Sequence, residues 1–542
     1  MDLIERATDW LSQDPDPATR TELQDLLDAG DTDGLQDRFS ERLQFGTAGL
    51  RGALGAGPNR MNRVIVAQAA SGLAAYLLEH AAESDTSGPS VVVGYDARHN
   101  SDVFARDTAE IMQGAGVRAF LLPTHLPTPV LAFAIRHLGV SAGVMVTASH
   151  NPPQDNGYKV YLEDSSQIVP PADEDISAAI DAVGRVDEMP RSDAYETLGP
   201  EVAEAYVEAV VALPGDGPRE IVAVYTPMHG VGRDTLAEAV SRAGFPPLHV
   251  VREQGDPDPD FPTVAFPNPE EPGAMDLALK LSSSVGADLI VANDPDADRC
   301  AVGVRDGESF RMLTGDQVGV LLADFLLRRG VEGTYGSSIV SSDLLGRQAA
   351  AYGQPWEQTL TGFKWLGKIP TLVFGYEEAL GYSVAPDIAR DKDGVSAIIT
   401  VLEMAAELKA EGRSLIDRLD DIYREHGLHA TSQLSVRVED LAIIARAMDA
   451  LRTSPPTVLG GLAVTSVDDL ADGYRGLPPT DGIRLALDGG ARIICRPSGT
   501  EPKLKCYIEV VIAVDDTIEV ARATAEKQID GIKTDLAAAL GI

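Results

Sequence analysis

An aspartate-rich loop is the clearest chemical feature of the sequence. Asp294, Asp296 and Asp298 alternate directly after the apolar run 288–292, and Arg299 follows them. Three carboxylates at every second position of a turn can converge on one hard divalent cation, and Mg²⁺ is favoured when the ligand is a phosphate. A calcium-sensor loop would need glycine where Arg299 stands, so that geometry is excluded. The pattern favours a metal site over the alternative, a solvated acidic turn.

A second polar loop contains a candidate nucleophile. Ser149 follows the apolar run 143–147 and precedes His150 and two prolines, a rigid turn that could present the serine hydroxyl to a cleft. The surrounding residues are not Gly-x-Ser-x-Gly and do not indicate a hydrolase nucleophile elbow, so a structural serine is an equal alternative. Lys159 is the first lysine of the chain. A desolvated lysine there could act as an acid or base, whereas a surface lysine is the alternative.

The segment 496–505 is a candidate phosphate-binding loop. It places serine, glycine and threonine among three cations. Backbone N–H groups at Gly499 and Thr500, with the planar fork of Arg496, could cradle a phosphate. The segment is not a Walker A loop, because Gly-x-x-x-x-Gly-Lys-Ser/Thr does not occur in the chain. A weaker Gly/Arg loop lies at 46–52.

The charge balance restricts the partners. The 542 residues include 83 Asp and Glu against 45 Lys and Arg, a formal net charge of −38. Such a field repels nucleic acid and anionic membranes, and an anionic small substrate would need a local cluster of cations within a cleft. The acidic residues are spread along the chain, which indicates a solvated surface, and an adaptation to a salty environment is an open alternative.

The sequence favours a cytoplasmic location. No run approaches the ~20 apolar residues of a membrane span, and the first residues lack the basic start and apolar run of a secretory signal. Cys300, Cys495 and Cys506 form no CxxC pair and are odd in number. They fit neither a zinc site nor a disulfide framework. We therefore expect buried thiols in a reducing compartment, and neither nucleic acid nor a membrane as a partner.

The reactive residues must be positioned by an alternation of short apolar runs and amphipathic stretches, the pattern of α/β architecture. A helix is predicted to open at 14–18, where Pro17 suits a first helical turn. Ligands of α/β folds bind beyond the carboxyl ends of strands, and four predicted strands end in polar or Gly-rich loops, at 147–153, 293–299, 375–379 and 496–503. Predicted strands are 91–94, 143–147, 221–225, 288–292, 339–341, 371–374 and 491–495, and predicted helices are 64–78, 103–113, 316–329 and 395–409.

Four motifs in this order resemble those of the α-D-phosphohexomutase superfamily: FGTAGLRG (45–52), TASHNP (147–152), DPDADR (294–299) and RPSGTEP (496–502). The resemblance implies three related α/β domains with mixed sheets and a smaller C-terminal α+β domain around a central cleft, in a monomer or weak dimer. The domains it implies are I with the phosphoserine loop, II with the metal loop, III with the sugar-recognition loop and IV with the phosphate loop, at 1–212, 213–307, 308–430 and 431–542.

The resemblance also implies roles for individual residues. Ser149 is similar to the phosphorylated serine and Lys159 to the proton-transferring lysine, with His150 and Arg51 near the phosphoryl group. The implied metal ligands are Asp294, Asp296, Asp298 and the phosphoserine oxygen of Ser149. The implied substrate-binding residues are Arg299, Thr361, Gly362, Lys364, Glu377 and Lys392, and the implied phosphate-binding residues are Arg496, Ser498, Gly499, Thr500 and Lys505.

One departure concerns the loop that recognises the sugar. Many members have Gly-Glu-x-Ser, whereas this chain has GYEEALGY at 375–382, which keeps Glu377 but places Ala379 where the serine stands. This version resembles the branch that acts on glucose and pentose phosphates. The resemblance therefore implies an isomerase that interconverts glucose 1-phosphate and glucose 6-phosphate, with Mg²⁺ as cofactor and glucose 1,6-bisphosphate as intermediate and activator. Mannose and pentose phosphates are alternative substrates.

Two other classes of protein explain the motifs less completely. An aspartyl-phosphate phosphatase would make Asp294 the nucleophile and Asp296 the acid, but it would not explain Ser149 or the loop that begins at Arg496. A non-catalytic protein that binds sugar phosphates predicts the loss of Ser149, Lys159 or the aspartates, and all of them are present.

Overall fold

The chain divides into two units in the structure, a computed structural model that describes residues 2–47, 49–81, 88–438, 440–498 and 503–541. The first unit comprises Met1–Leu313, Gly367–Pro370 and Ala379–Glu411. The second comprises Thr314–Leu366, Thr371–Glu378 and Gly412–Ile542. The predicted phosphate-binding residues Gly499 and Thr500 lie outside the described residues.

Three short helices open the first unit, each capped by an aspartate. They are α1 (Leu3–Gln13), α2 (Pro17–Ala29) and α3 (Thr32–Phe39). The carboxylate of Asp16 accepts a hydrogen bond of 2.9 Å from the backbone N–H of Ala18, and Pro17 begins α2. The predicted helix opening at 14–18 is therefore confirmed, because aspartate satisfies an orphan N–H and proline lacks one.

A mixed six-stranded sheet forms the centre of the N-terminal part of the first unit, with strand order β1-β5-β4-β2-β3-β6. Its central strands are parallel, and β5 pairs antiparallel with both β4 and β1. Its strands are β1 (Leu50–Ala53), β2 (Ser90–Tyr95), β3 (Arg118–Leu121), β4 (Ala142–Val146), β5 (Asp155–Leu162) and β6 (Glu196–Thr197). The accompanying helices are α4 (Arg63–Glu79), α5 (Ser101–Ala115), α6 (Thr128–Leu138), α7 (Ala172–Asp181) and α8 (Glu201–Val211).

A mixed five-stranded sheet follows in the same unit, with order β11-β10-β9-β7-β8. Strands β7, β8 and β9 are parallel, and β10 and β11 extend the sheet as an antiparallel hairpin. These elements are β7 (Ala223–Thr226), α9 (Gly232–Arg242), β8 (His249–Val250), α10 (Asp276–Val285), β9 (Leu289–Ala292), β10 (Ala301–Asp306) and β11 (Ser309–Met312). The first unit also contains β15 (Gly381–Ser383) and α14 (Gly394–Ala410).

The second unit contains a parallel sheet and an antiparallel one. In the parallel sheet β12 lies between β13 and β14, and the antiparallel sheet has the order β16-β21-β20-β19-β18-β17. The elements of the first part are α11 (Gly315–Arg328), β12 (Thr334–Ser338), α12 (Leu344–Ala351), β13 (Trp356–Thr359), α13 (Phe363–Leu366) and β14 (Leu372–Glu377). The C-terminal elements are α15 (Leu415–His426), β16 (Leu428–Arg437), α16 (Leu441–Thr453), β17 (Val458–Leu459), β18 (Leu462–Asp469), β19 (Ile483–Leu487), β20 (Arg492–Pro497), β21 (Lys503–Ile512) and α17 (Ile518–Leu540).

The predicted α/β class, with mixed sheets and a separate C-terminal sheet, is confirmed by these elements. The predicted helices and six of the seven predicted strands overlap observed ones. Cys300, Cys495 and Cys506 are buried free thiols, as expected. Among the described helices, none combines the length and the apolar character that crossing a membrane requires.

The strand predicted at 339–341 is wrong, because β12 ends at Ser338 and a turn follows. The N–H of Ser341 donates to the carbonyl of Ser338 across that turn. Ile339 and Val340 are apolar because they join a small buried cluster with Leu470 and Ile494. The loop predicted at 375–379 is also shorter than expected, since β14 continues to Glu377.

The predicted domain boundaries fall at three different kinds of position. The boundary after 212 lies just beyond α8, that after 307 lies in the turn between β10 and β11, and that after 430 lies within β16. The four-domain division with these boundaries stays a prediction.

Position 49 requires a glycine because its backbone closely approaches β5. Its φ is +75°, and a Cβ built there would lie 1.9 Å from the carbonyl oxygen of Tyr158. Leu50 pairs with Tyr158 and Arg51 with Gly157 in the adjoining register. The tight turn therefore brings Arg51 against β5.

We expect Gly49→Ala to destabilise the first unit by about 1–3 kcal/mol more than the control Gly30→Ala, because the added methyl must displace backbone. Gly30 has a φ of +62°, but a Cβ there meets nothing within 4 Å. The control therefore carries only the left-handed backbone cost of ~1–2 kcal/mol. Urea unfolding followed by circular dichroism measures both variants, and equal losses would contradict a tight contact at Gly49.

Candidate active site

The candidate catalytic residues of the first unit follow from the ends and pairing of its strands. Ser149 lies just beyond the carboxyl end of β4, and the aspartate loop lies just beyond that of β9. Lys159 lies on β5, level with Met145 of β4. The carboxyl-end position matches the rule for ligand sites in α/β sheets.

Ser149 is buried and its hydroxyl is held in place. Its Oγ donates a hydrogen bond of 2.7 Å to Oδ2 of Asp294 and lies 3.2 Å from Nδ1 of His150. Its φ of +52° is in the left-handed region, which is uncommon for a residue other than glycine. The structure therefore brings the predicted nucleophile into contact with the predicted metal loop.

The three aspartates converge, as the sequence pattern predicted. Asp294, Asp296 and Asp298 are fully buried, and one oxygen of each lies within 4.8 Å of the others. Among the described residues, Oδ1 of Asp296 and Oδ1 of Asp298 have no hydrogen-bond partner. Buried carboxylate oxygens are costly without a partner. Three converging carboxylates, two of which have an oxygen that accepts no hydrogen bond from the described residues, fit a divalent cation such as Mg²⁺.

Cations of the protein partly neutralise this cluster. Nζ of Lys159 lies 2.8 Å from Oδ2 of Asp296 and 2.9 Å from Oδ2 of Asp298. Nζ of Lys392 lies 3.3 Å from the same oxygen of Asp298. The backbone N–H of Arg299 donates to Oδ1 of Asp294 at 3.1 Å.

The pKa values of the three carboxyl groups are shifted in different directions. Burial, together with the charges of Asp296 and Asp298, raises the pKa of Asp294 well above its ordinary value. Burial acts in the same direction on the other two and is the largest single influence on each. Lys159 together with Thr128 at Asp296, and together with Lys392 and Arg299 at Asp298, nevertheless holds the pKa of both below the ordinary value. Conversely, burial alone would lower the pKa of Lys159, and the two aspartates raise it. Lys159 is therefore a charged ammonium bridging two carboxylates.

His150 lies beside Ser149, and Arg51 contacts the same loop. Nη1 of Arg51 donates 3.1 Å to Oδ1 of Asn151. Burial, and then the charges of Arg299 and Arg51, lower the pKa of His150 well below its ordinary value. His150 is therefore a neutral imidazole beside the serine hydroxyl at neutral pH.

Two contacts beside the aspartate cluster were not predicted from the sequence. Oγ1 of Thr128, at the start of α6, donates 2.7 Å to Oδ2 of Asp296, and its N–H donates 2.9 Å to the carbonyl of Asp296. Asp391 accepts from the hydroxyl of Tyr161 at 2.8 Å and lies 3.3 Å from Nζ of Lys392. A threonine beside a helix start is typical of capping, so Thr128 would be assigned to the helix from sequence alone.

The remaining predicted residues of the described chain lie in the second unit. The N–H of Gly362 donates 2.6 Å to Oε1 of Glu377, the last residue of β14. Thr361 precedes Gly362, and Lys364 lies in α13. Arg496 pairs with Lys505 across β20 and β21, and the N–H of Ser498 donates 2.8 Å to the carbonyl of Lys503. The phosphate-binding role of this hairpin stays a prediction.

Four family models match successive parts of the chain. They are described as Phosphoglucomutase/phosphomannomutase, alpha/beta/alpha domains I, II and III and C-terminal domain, and they match residues 42–186, 204–307, 314–426 and 434–527. The chain belongs to the phosphoglucomutase/phosphomannomutase family. It is thus a phosphosugar mutase of the phosphohexomutase superfamily, as the four motifs predicted.

Relatives within this family differ in the sugar that they are named for. The chain is 50% identical to a probable phosphomannomutase of Haemophilus influenzae over 457 residues, which cover 83% of this chain and 93% of that protein. It is 34% identical to a phosphopentomutase of Mus musculus, covering 94% and 90%. It is 35% identical to a phosphoglucomutase of Staphylococcus epidermidis, covering 88% and 92%. Membership of the family therefore leaves the sugar unassigned.

We expect Thr128→Val to weaken the binding of Mn²⁺, used as a paramagnetic divalent probe, by about 10-fold or more, the usual effect of losing a hydrogen bond to a metal ligand. Thr128→Ser keeps the hydroxyl and should bind Mn²⁺ at least about fivefold tighter than Thr128→Val. Electron paramagnetic resonance of free Mn²⁺ measures both affinities. Equal affinities in the two variants would show that the hydroxyl does not orient Asp296.

Proposed function

We propose that the protein interconverts glucose 1-phosphate and glucose 6-phosphate through a phosphoryl group carried by Ser149, with Mg²⁺ as the cofactor. The observation that carries the proposal is the 2.7 Å hydrogen bond between Oγ of Ser149 and the buried Asp294 of the aspartate cluster. A serine serving only structure would have no need of three converging carboxylates. Phosphoryl transfer depends mostly on positioning and charge neutralisation, and this cluster supports both.

Ser149, Lys159 and two arginines have separate roles in the proposed reaction. In the first half-reaction, the bond between phosphorus and Oγ of Ser149 breaks while O6 of glucose 1-phosphate bonds to phosphorus, which forms glucose 1,6-bisphosphate. By the resemblance, Lys159 transfers the proton: its ammonium gives one to Oγ as the bond to phosphorus breaks and takes one from the sugar hydroxyl. Arg51 and Arg299 would bind the phosphoryl oxygens. In the second half-reaction, after the intermediate has turned over, the bond between O1 and its phosphorus breaks while Oγ of Ser149 bonds to that phosphorus. The proton of the serine hydroxyl passes to O1, and glucose 6-phosphate leaves.

Mg²⁺ would be held by Asp294, Asp296 and Asp298, and when bound it would supply positive charge at the phosphoryl oxygens. Lys159 and Lys392 hold two of these carboxylates in place. The bisphosphate intermediate must remain available to the enzyme, since its loss would leave Ser149 without a phosphoryl group. We therefore propose glucose 1,6-bisphosphate as activator as well as intermediate.

We propose that Glu377, rather than Glu378, recognises the sugar. The carboxylate of Glu378 accepts hydrogen bonds of 3.2 Å from the hydroxyls of Ser338 and Ser341, so it serves as an anchor within the protein. Glu377 is fixed at one oxygen by the N–H of Gly362, which suits a charged acceptor of sugar hydroxyls. Arg496, Ser498, Gly499, Thr500 and Lys505 are proposed to bind the phosphate that is not being transferred.

Pentose phosphates are the second candidate substrate. Ala379 lacks the hydroxyl that many members place in this loop, and one net hydrogen bond is worth only about 0.5–1.5 kcal/mol. A loss of that size reduces discrimination between sugars rather than reversing it. We therefore propose glucose 1-phosphate as the preferred substrate, with ribose 1-phosphate and mannose 1-phosphate turned over more slowly.

We expect peptide mass spectrometry to find a phosphoryl group on Ser149 after treatment with glucose 1,6-bisphosphate and Mg²⁺. Turnover of glucose 1-phosphate should fall by more than ~10³-fold in Ser149→Ala, as for loss of other catalytic nucleophiles. A panel of glucose, mannose and ribose 1-phosphates with catalytic bisphosphate should give the highest kcat/KM for glucose.

Different outcomes would contradict different parts of the proposal. Phosphate on Asp294 instead of Ser149 would indicate an aspartyl-phosphate enzyme, and no phosphorylation with no turnover would indicate a binding protein. A higher kcat/KM for mannose or ribose 1-phosphate, with Ser149 phosphorylated, would overturn only the choice of sugar.

A further inference from the structure

The backbone of Ser149 must be held in an uncommon conformation. Its φ of +52° lies in the left-handed region, where a Cβ is crowded by the neighbouring carbonyl. Such a residue persists only when the surrounding structure over-determines it. The contacts of the peptide groups on its two sides show how this is achieved.

The amide side of Ser149 is held through Thr147 and Asp96. The N–H of Ser149 donates 2.9 Å to Oγ1 of Thr147. The same hydroxyl donates 2.7 Å to Oδ2 of Asp96, which lies directly after β2. Asp96 is in turn fixed by the hydroxyl of Ser101, which donates 2.6 Å to its Oδ1. The proton of the Thr147 hydroxyl is therefore directed at Asp96, which leaves the oxygen to accept from the N–H of Ser149.

The carbonyl side of Ser149 is held by Arg98. Nη2 of Arg98 donates to the carbonyl oxygens of Ser149 and Asn151, at 2.5 and 2.6 Å. Nη1 donates to the carbonyl oxygens of Pro152 and Asp155, at 2.9 and 3.2 Å. One planar guanidinium thus gathers four carbonyls of the segment 149–155.

Arg98 is itself locked in place and screened from solvent. Its side chain is 1% exposed, and Nε lies 3.2 Å from Oδ2 of Asp96. Its guanidinium lies 5.0 Å from the centre of the Phe261 ring, a cation–π contact from the loop that follows β8. Asp96 therefore supports both sides of Ser149, one through Thr147 and the other through Arg98.

We propose that Arg98 is a positioning residue for phosphoryl transfer, which keeps Ser149 in the left-handed conformation that directs Oγ at Asp294. The inference rests on the proposed function of Ser149. Both Nη atoms of Arg98 donate to backbone carbonyls of the serine loop, so these donors are already used within the protein. Lysine cannot replace it, because one ammonium with three donors cannot reach four carbonyls that a flat fork spans.

The test is a single-turnover measurement of the phosphorylation of Ser149 by saturating glucose 1,6-bisphosphate, in the full-length protein with Mg²⁺. The amplitude counts folded molecules, and the rate constant reports how each folded molecule reacts. Arg98→Lys should lower the rate constant and kcat by about 10²-fold, the effect of a misplacement near 1 Å. KM should change by less than about threefold, since the groups that bind substrate are intact.

Arg418→Lys is the matched control. Arg418 is also largely buried and forms a two-point ion pair with Asp324, with contacts of 2.5 and 2.8 Å, in the second unit. The control should lose stability and amplitude as Arg98→Lys does, while its rate constant stays within about twofold of the wild type.

If Arg98→Lys does not fold, a second pair of variants tests whether the contacts that hold the backbone of Ser149 control its reactivity. Thr147→Val removes the hydroxyl that holds the N–H of Ser149, whereas Thr147→Ser keeps it, and the serine variant should react at least about tenfold faster than the valine variant. A wild-type rate constant in Arg98→Lys, or equal rate constants in the two Thr147 variants, overturns this inference alone. A wild-type protein that is never phosphorylated on Ser149 overturns both this inference and the proposed function.

Discussion

The crowding of three buried carboxylates beside one serine hydroxyl is the constraint on which the site depends. One carboxylate oxygen of each of Asp294, Asp296 and Asp298 lies within 4.8 Å of the others, and all three side chains are buried. Burying such charges is strongly unfavourable unless cations or hydrogen bonds compensate them. The protein supplies part of that compensation through Lys159 and Lys392, and within the described part of the chain Oδ1 of Asp296 and Oδ1 of Asp298 accept no hydrogen bond.

Several elements of the first unit bring compensating groups to the aspartate cluster. The strand β5 brings Lys159 to the cluster, the start of α6 brings Thr128 to Asp296, and the segment before α14 brings Lys392. A separate network of Asp96, Thr147 and Arg98 fixes the serine loop. The two sets meet at the hydrogen bond from Ser149 to Asp294, so the position of the hydroxyl is determined by two independent supports.

Local patterns in the sequence predict the loops and most strands, whereas contacts between distant segments are not encoded locally. The aspartate loop and Ser149 are recognisable because polar side chains follow directly after apolar runs. Thr128 lies 168 residues from its partner Asp296, and nothing near it in sequence indicates that contact. The strand prediction at Ile339 and Val340 failed because of another distant contact. These apolar residues are buried against Leu470 and Ile494, more than a hundred residues away, and not within a strand.

Counting the Mn²⁺ ions bound per chain shows whether the three aspartates hold one divalent cation. The measurement should be made at high monovalent salt, which screens weak binding to a surface whose chain carries a net charge of −38. The account predicts one tightly bound ion per wild-type chain. It predicts none in Asp294→Asn/Asp296→Asn/Asp298→Asn, where shape is kept and the three charges are removed. A wild-type chain without a tight ion, or a triple variant that binds as tightly, would contradict it.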